Sequence, residues 1–360
     1  IASMLPAEGF AASYAMGQGR GIMLPATTLA YGSLLKAEIG DGRASMHPVL
    51  SSATGLTGGN NLDTTASIEP LRGLAADRPM GQASASMEAL TSEVFVQSGS
   101  PARPEVTIRT GADGQGSGTL LHTGRHILTA AHVLEGTDEY LHDYSFEFYG
   151  AAELGLIPPK AISVTYHPSW DGNFNHGDDL AIIELAEYIP WTIGLEPSQS
   201  IDDIGKNWSA LSYSPRIDPV TGAVSAAGWD FYNNTYDDNE VFINAQVNKL
   251  FLNMPGYEPL NVPADSMLVY DYDNGTIGND AFDVVSGIPG LGIEGEGTAQ
   301  PGDSGSAKVV DGRIAGVTSY GASTGSSADV NIYANSSYGD FGFDTRVSNY
   351  LDWIEATAGS

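Results

Sequence analysis

Pro301-Gly302-Asp303-Ser304-Gly305-Ser306 reads as a sharp turn with a serine at its apex. The glycines let the backbone bend so that the N–H groups of Gly302 and Ser304 aim at one point, where they could stabilise a developing oxyanion. A serine hydroxyl is a weak nucleophile near neutral pH; it needs a base, and the base needs a third group to fix its tautomer. No histidine follows Ser304, so the base must lie upstream. Leu128-Thr129-Ala130-Ala131-His132-Val133 offers one, with small residues that permit a tight helical turn after a strand-like run. Between the two, Gly177-Asp178-Asp179-Leu180-Ala181-Ile182-Ile183 sets a carboxylate at the mouth of a strongly apolar strand, and Asp178 rivals Asp179 for the orienting role. The order His, Asp, Ser is informative because the same three-residue chemistry recurs on unrelated scaffolds in other orders. It excludes the α/β-hydrolase elbow, where the histidine comes last and where Ser306 would have to be glycine.

The rest of the chain sets bounds on this reading. It has 360 residues, enough for two or three packed units, and 42% hydrophobic residues, enough for a sizeable core. Fifteen basic residues oppose 44 acidic ones, for a net charge of −29. Such a field repels nucleic acid and anionic membranes, which removes both as expected partners. There are no cysteines, hence no disulfides, thiolate metal sites or cysteine nucleophile. No apolar run is long enough to span a bilayer; Ile22–Ile39 is interrupted by Pro25, Lys36 and Glu38. With no basic leader at Ile1, the chain reads as a processed product or a piece of a longer precursor.

Residues 1–93 are poor in charge and rich in Ala, Gly, Ser and Leu, and read as an N-terminal extension or pro-segment. From Val94 onward short apolar or alternating runs recur: Val94–Val96, Val106–Ile108, Thr119–Leu121, His126–Thr129, Ser145–Tyr149, Ile162–Tyr166, Leu180–Leu185, Trp208–Tyr213, Val241–Val247, Met267–Tyr270, Ala307–Val310, Ile314–Thr318 and Asn331–Tyr333. Many short strands separated by Gly, Pro and Asn turns predict an all-β sandwich or barrel. Val347, Tyr350, Leu351 and Ile354 recur at helical spacing and predict a closing helix over 344–355. No internal repeat is visible.

At these residues the chain resembles the chymotrypsin/trypsin-like serine endopeptidases. The likeness extends to Gly116-Ser117-Gly118-Thr119-Leu120-Leu121, to His167-Pro168-Ser169-Trp170, to Thr318-Ser319-Tyr320-Gly321 and to Gly342-Phe343-Asp344-Thr345. Tyr270-Asp271-Tyr272-Asp273-Asn274-Gly275, with Asn279-Asp280-Ala281, is similar to secreted bacterial branches. The resemblance implies two six-stranded antiparallel β-barrels with a C-terminal helix. Residues 94–204 would carry His132 and Asp179, and residues 205–360 would carry Ser304 and the helix. It implies peptide-bond hydrolysis of polypeptide substrates, with Ser304 attacking, His132 as general base and Asp179, rather than Asp178, orienting it. Gly302 and Ser304 would supply the oxyanion hole, while Ser319, Tyr320 and Gly321 would receive the substrate main chain. Thr298, six residues before Ser304, would form the base of the primary pocket, with Gly321 and Gly342 leaving its walls open to a large apolar side chain. Glu294, Glu296 or Asp340 would restore a basic preference if any of them reached that pocket. The family activates when a new N-terminus pairs with the aspartate before the nucleophile, here Asp303. The longer stretch from Asp179 to Ser304 implies insertions around 214–240 and 255–298.

Two alternatives stay open: a catalytically silent binding module on the same scaffold, and a latent proenzyme held inactive by the N-terminal segment. No cofactor is required and no zinc spacing occurs. Asp271-x-Asp273-x-Gly275 begins like a calcium loop but lacks the later EF-hand positions. The acidic clusters at 237–240 and 271–283 are compatible with a structural calcium ion, although solvated loops are the reading that composition favours. The oligomeric state is not legible.

Overall fold

Alternation of apolar and polar residues over four to ten positions buries one face of a strand and leaves the other for a neighbour or for solvent. In a computed structural model, that patterning builds two antiparallel sheets. The structure describes residues 102–111, 114–172, 177–237, 266–287, 290, 292–293, 295–322, 327–330 and 335–359, together with the backbone of short strands between residues 10 and 49. The runs expected at Val94–Val96, Val241–Val247 and Asn331–Tyr333 lie outside the described residues.

The first sheet comprises β1 (Glu105–Thr110), β2 (Gln115–Leu120), β3 (His126–Thr129), β4 (Tyr144–Phe148), β5 (Ala161–Tyr166) and β6 (Ala181–Leu185). Its order is β5-β6-β3-β2-β1-β4. The second comprises β7 (Asn207–Ser214), β8 (Gly228–Thr235), β9 (Met267–Asp271), β10 (Ala307–Val310), β11 (Arg313–Ala322) and β12 (Phe341–Arg346). Its order is β8-β7-β10-β11-β12-β9, with a seventh strand, Ser13–Ala15, on one edge of β11. The expected all-β architecture of two six-stranded antiparallel units is therefore present. Written as a circle, both units follow one order, 1-2-3-6-5-4, opened at different seams. In the second unit the seam is bridged where Asp237 N–H donates to the Val269 carbonyl at 2.9 Å. The duplication is topological and leaves no trace as sequence periodicity.

Two expectations are corrected. The stretch 214–240 is not merely an insertion, because it contains β8, which pairs with β7 over eight residues from Asn207↔Thr235 to Ser214↔Gly228. Its sequence, Gly-Trp-Asp-Phe-Tyr-Asn-Asn-Thr, is rich in residues that strands usually avoid, and cross-strand pairing overrides that preference. The closing helix also begins later than 344. Asp344, Thr345 and Arg346 are captured by β12, which pairs with β9 and β11 on its two sides. A 3₁₀ turn (Val347–Tyr350) follows, and then α3 (Leu351–Ala358); α1 (Ala131–Leu134) and α2 (Ala281–Ser286) are the other short helices that the argument uses.

One apolar core fills the first unit, around Val106, Ile108, Leu120, Ile127, Phe148 and Ile183. A second cluster, including Leu128, Leu180, Ile182, Ala307, Ile314, Val317, Val347 and Ile354, joins the two sheets to the closing helix. It holds β3 and β6, which flank the His132 turn and Asp179, against the sheet that carries the serine turn. The core of the second unit is unusually polar. Lys308 is fully buried among Trp208, Tyr232 and Tyr270, at 4.5 to 6.0 Å from their ring centres, and donates to Tyr232 Oη at 2.8 Å. Cation–π attraction offsets part of the desolvation cost. Burial still brings the ammonium down to about 8, while the Asp344 and Asp303 carboxylates pull in the opposite direction.

A lysine whose folded pKa lies below its unfolded value gives up its proton earlier when folded. Stability should therefore rise with pH between about 8 and 10.5, by about 3 kcal/mol for one group. Urea unfolding across this window should show that slope in the wild type and not in Lys308→Met; equal slopes would assign the effect elsewhere.

Candidate active site

His132 enters the site because β3 ends at Thr129 and the chain turns into α1, a helix of four residues. Asp179 enters just before β6, after Asp178, whose φ of +62° is in the left-handed region. That kink turns the two adjacent carboxylates in different directions. Asp179 Oδ2 lies 2.7 Å from His132 Nδ1, and Asp179 Oδ1 accepts the His132 backbone N–H at 3.0 Å. Asp178 faces His167 instead, at 3.4 Å from its Nδ1. Of the two aspartates, Asp179 is therefore the one that meets His132. With Nδ1–H donating to the carboxylate, Nε2 is the nitrogen left to act as base.

Asp179 has a further partner. Ser319 Oγ, on β11 of the other sheet, donates to Asp179 Oδ2 at 2.5 Å. The sequence assigned Ser319 only a main-chain role, and nothing in its local pattern shows that its hydroxyl reaches a carboxylate 140 positions away. All three groups are buried, with the His132 side chain 7% exposed and that of Asp179 at 0%.

The serine turn is pressed against the histidine turn. Ser117 N–H donates to the Ser304 carbonyl at 2.7 Å, and Ser117 Oγ to the Gly302 carbonyl at 2.9 Å. A Cβ on Gly305, where φ is +84°, would lie 2.2 Å from Thr129 Oγ1 and 3.0 Å from Ala130 N, so only glycine lets the turn come this close. Gly302 has φ +106°, again a glycine conformation. The N–H groups of Gly302 and Ser304 donate to no partner among the described residues. Ser304 Oγ is buried and likewise makes no hydrogen bond. An oxyanion hole requires N–H donors that no other acceptor has taken, and these two meet that condition among the described residues.

Asp303 supplies the largest difference from what the resemblance implies. Its carboxylate is fully buried and already paired. Arg216 donates to Oδ2 at 2.7 Å, Ser212 Oγ to Oδ1 at 2.7 Å and the Gln300 N–H to Oδ2 at 2.8 Å. Burial alone would raise this carboxyl, but the guanidinium and the hydrogen bonds hold it below the ordinary aspartate value. The position expected for a new N-terminus is thus taken by a side chain from the β7–β8 connection. Gln115 adds a brace, donating to the Tyr213 carbonyl at 2.9 Å and so tying β2 to β7.

The pocket residues are only partly as expected. Thr298 is buried in front of the turn, and Tyr320 stacks on Phe343 with ring centres 4.5 Å apart. The wall at Gly342 is not open. The Tyr270 ring occupies the place where a Gly342 side chain would lie, with Cζ 2.1 Å from that Cβ position. Glu296 and Asp340 are both turned to other partners. Glu296 accepts from the Asp273 and Ile293 N–H groups, and Asp340 from those of Asn335 and Ser337. Glu294 lies outside the described residues.

The outer edge of β11 is occupied. Beyond the end of β10, the Ser13–Ala15 strand pairs antiparallel with it in the register Tyr320↔Ala15, Gly321↔Tyr14 and Ala322↔Ser13. Among the described residues, no helix is long and apolar enough to cross a membrane.

No family model matches this chain. A chymotrypsin of Phaedon cochleariae is 25% identical over 241 residues, which cover 66% of this chain and 70% of that relative. A solved structure of neuropsin, described as a serine protease expressed in the limbic system of mouse brain, aligns over 72% of this chain and 97% of its own at 16% identity, with a TM-score of 0.46.

Breaking a buried ion pair leaves an uncompensated charge. Arg216→Met should therefore lower stability by about 3 kcal/mol in urea at pH 7. The Asp303 carboxyl is depressed in the fold, so its contribution is present above the unfolded aspartate pKa and fades as acid protonates it. A loss below about 1 kcal/mol at pH 7 would contradict the role given to Arg216.

Proposed function

We propose that this chain is a secreted serine endopeptidase that cleaves polypeptides through an acyl-enzyme on Ser304. The observation that carries the reading is the Asp179 clamp on the backbone N–H and ring Nδ1 of His132, set beside a glycine turn whose Gly302 and Ser304 N–H groups have no partner among the described residues. In the first half-reaction the Ser304 hydroxyl attacks the scissile carbonyl carbon and its proton passes to His132 Nε2. The imidazolium is held by Asp179, and the oxyanion accepts from the Gly302 and Ser304 N–H groups. Collapse breaks the C–N bond, and the leaving amine takes the proton from His132. Water then repeats the sequence on the acyl ester: His132 removes its proton, the C–O bond to Ser304 breaks, and Ser304 recovers a hydrogen. Oxyanion donors of this kind contribute about 3 kcal/mol each to the transition state. Ser304 Oγ has no hydrogen bond among the described residues, so its bond to Nε2 is made when substrate engages.

The substrate main chain would add as a strand along Tyr320–Ala322, in the manner of β-augmentation. The preference for a large aromatic side chain loses support because Tyr270 fills the space at Gly342; a smaller side chain fits better beside Thr298. The similarity of residues 270–281 to bacterial branches is not supported by the Phaedon cochleariae relative.

A second reading has its own observation. The Ser13–Ala15 strand takes the edge that the substrate would use, which favours a latent state in which the N-terminal segment competes with substrate. One experiment addresses both readings: the rate at which a fluorophosphonate labels the full chain. Ser304 should be the labelled residue, and Ser304→Ala should remain unlabelled. Tyr14→Pro, which removes a backbone donor from the competing strand, should raise small-peptide hydrolysis at least about fivefold, on the order of 1 kcal/mol of released pairing. Absence of labelling in every form would favour the silent binding module. Labelling without a Tyr14→Pro effect would retain the peptidase and remove the latent state.

A further inference from the structure

Four carboxylates of the second unit lie together, and the catalytic reading uses none of them. Asp271 ends β9, Asp273 follows two residues later, Glu296 lies eight residues before Ser304, and Asp237 follows β8. One ligand oxygen from each of Asp271, Asp273 and Glu296 lies within 4.8 Å of the others, and all three residues are buried. This overturns the solvated-loop reading of the 271–283 cluster for these residues.

The oxygens divide into two sets. One set already accepts from backbone donors: Asp271 Oδ2 from Ala281 N–H at 2.7 Å, Asp273 Oδ1 from Gly275 N–H at 2.5 Å, and both Glu296 oxygens, Oε1 from Ile293 N–H at 3.0 Å and Oε2 from Asp273 N–H at 3.2 Å, each with a lone pair still open to a cation. The other set has no partner: Asp271 Oδ1, Asp273 Oδ2 and Asp237 Oδ2 are each sealed from solvent and accept no hydrogen bond. Buried carboxylate oxygens without a donor cost several kcal/mol unless something positive meets them. Among the described residues, the charged groups that act on Asp237, Asp271, Asp273 and Glu296 are one another and Asp280, with no lysine or arginine among them. Both Asp280 oxygens are used, by Asp283 N–H and Gly290 N–H.

We propose that Asp271, Asp273 and Glu296, flanked by Asp237, form a binding site for a calcium-sized divalent cation that ties the end of β9 to the segment leading into Thr298 and Ser304. The donor set is all oxygen, which selects a hard cation over zinc or copper. Ligands on opposite sides of a calcium ion stand roughly 4.6 to 5.2 Å apart, and the three ligand oxygens, all within 4.8 Å of one another, are close enough to share one such ion. The flexible, irregular arrangement suits calcium better than magnesium, which demands a tight octahedron and holds its waters. The bound cation would fix the loop between β9 and α2 and, through Glu296, the chain two residues before Thr298. It would therefore act as a structural tie for the wall of the primary pocket, without touching the reacting atoms.

The test uses the full chain freed of metal with a chelator, and its readouts do not depend on peptidase activity. Terbium ions should give sensitised luminescence through Tyr270 and Tyr272 on excitation of tyrosine, and calcium should displace them. Millimolar calcium should raise Tm by at least about 4 °C. Glu296→Gln and Asp237→Asn each remove one buried charge. In chelator they should be at least as stable as the wild type, and in calcium they should lose most of the shift. Tm unchanged by calcium in the wild type, or an equal shift in both variants, would overturn the site and leave these carboxyls as neutral, proton-sharing acids. Either result leaves the serine chemistry to be judged on fluorophosphonate labelling alone.

Discussion

The whole arrangement depends on one buried carboxylate. Asp179 accepts from the His132 backbone, from His132 Nδ1 and from Ser319 Oγ. Two of these donors belong to the first sheet and the third to the second. A carboxylate removed from water needs such a complement of donors to remain charged. The clamp is therefore also a joint: it holds the imidazole by its Nδ1 and ties the first unit to the second beside the serine turn. The apolar seam of Leu128, Leu180, Ile182, Val317 and Val347 provides the burial that makes this joint dry.

The second unit is organised around charge to a degree its partner is not. Arg216–Asp303 and Lys308 among its aromatic rings place cations inside the sheet that carries Ser304. In a chain of net charge −29, basic side chains are scarce, and several of the few present are spent on fixing buried carboxylates. Arg346 does the same for Asp203, at 2.9 Å between fully buried groups. The acids near Asp271 have no such cation among the described residues, which is why a bound metal ion suits them. Asp303 is already held by an arginine, and among the described residues the N-terminal segment meets the second sheet at the β11 edge.

Much of this was legible in the sequence, because local chemistry sets it. The turn at Ser304 needs its glycines, the strand after Asp179 needs its apolar run, and the strand pattern of the first sheet follows alternation closely. What escaped notice depends on partners far apart in the chain. Arg216 and Asp303 are 87 positions apart, and Ser319 and Asp179 are 140 apart. Neither pair leaves a local signature. Strand β8 was missed because its Asn and Asp residues tolerate pairing only next to β7. The shared circular order of the two units was invisible because topology was duplicated while periodicity was not. Gly342 misled for a different reason: a missing side chain signals space, and Tyr270 had taken it.

The most direct measurement is peptide hydrolysis by Asp179→Asn, compared with the wild type at pH 7 on protein whose unfolding curve is intact. An amide at this position would favour the wrong imidazole tautomer while keeping the shape of the site. The account predicts a fall in kcat of about 10⁴-fold. A fall of less than about tenfold would mean that this carboxylate does not orient the base, and that the joint at the centre of the structure serves packing alone.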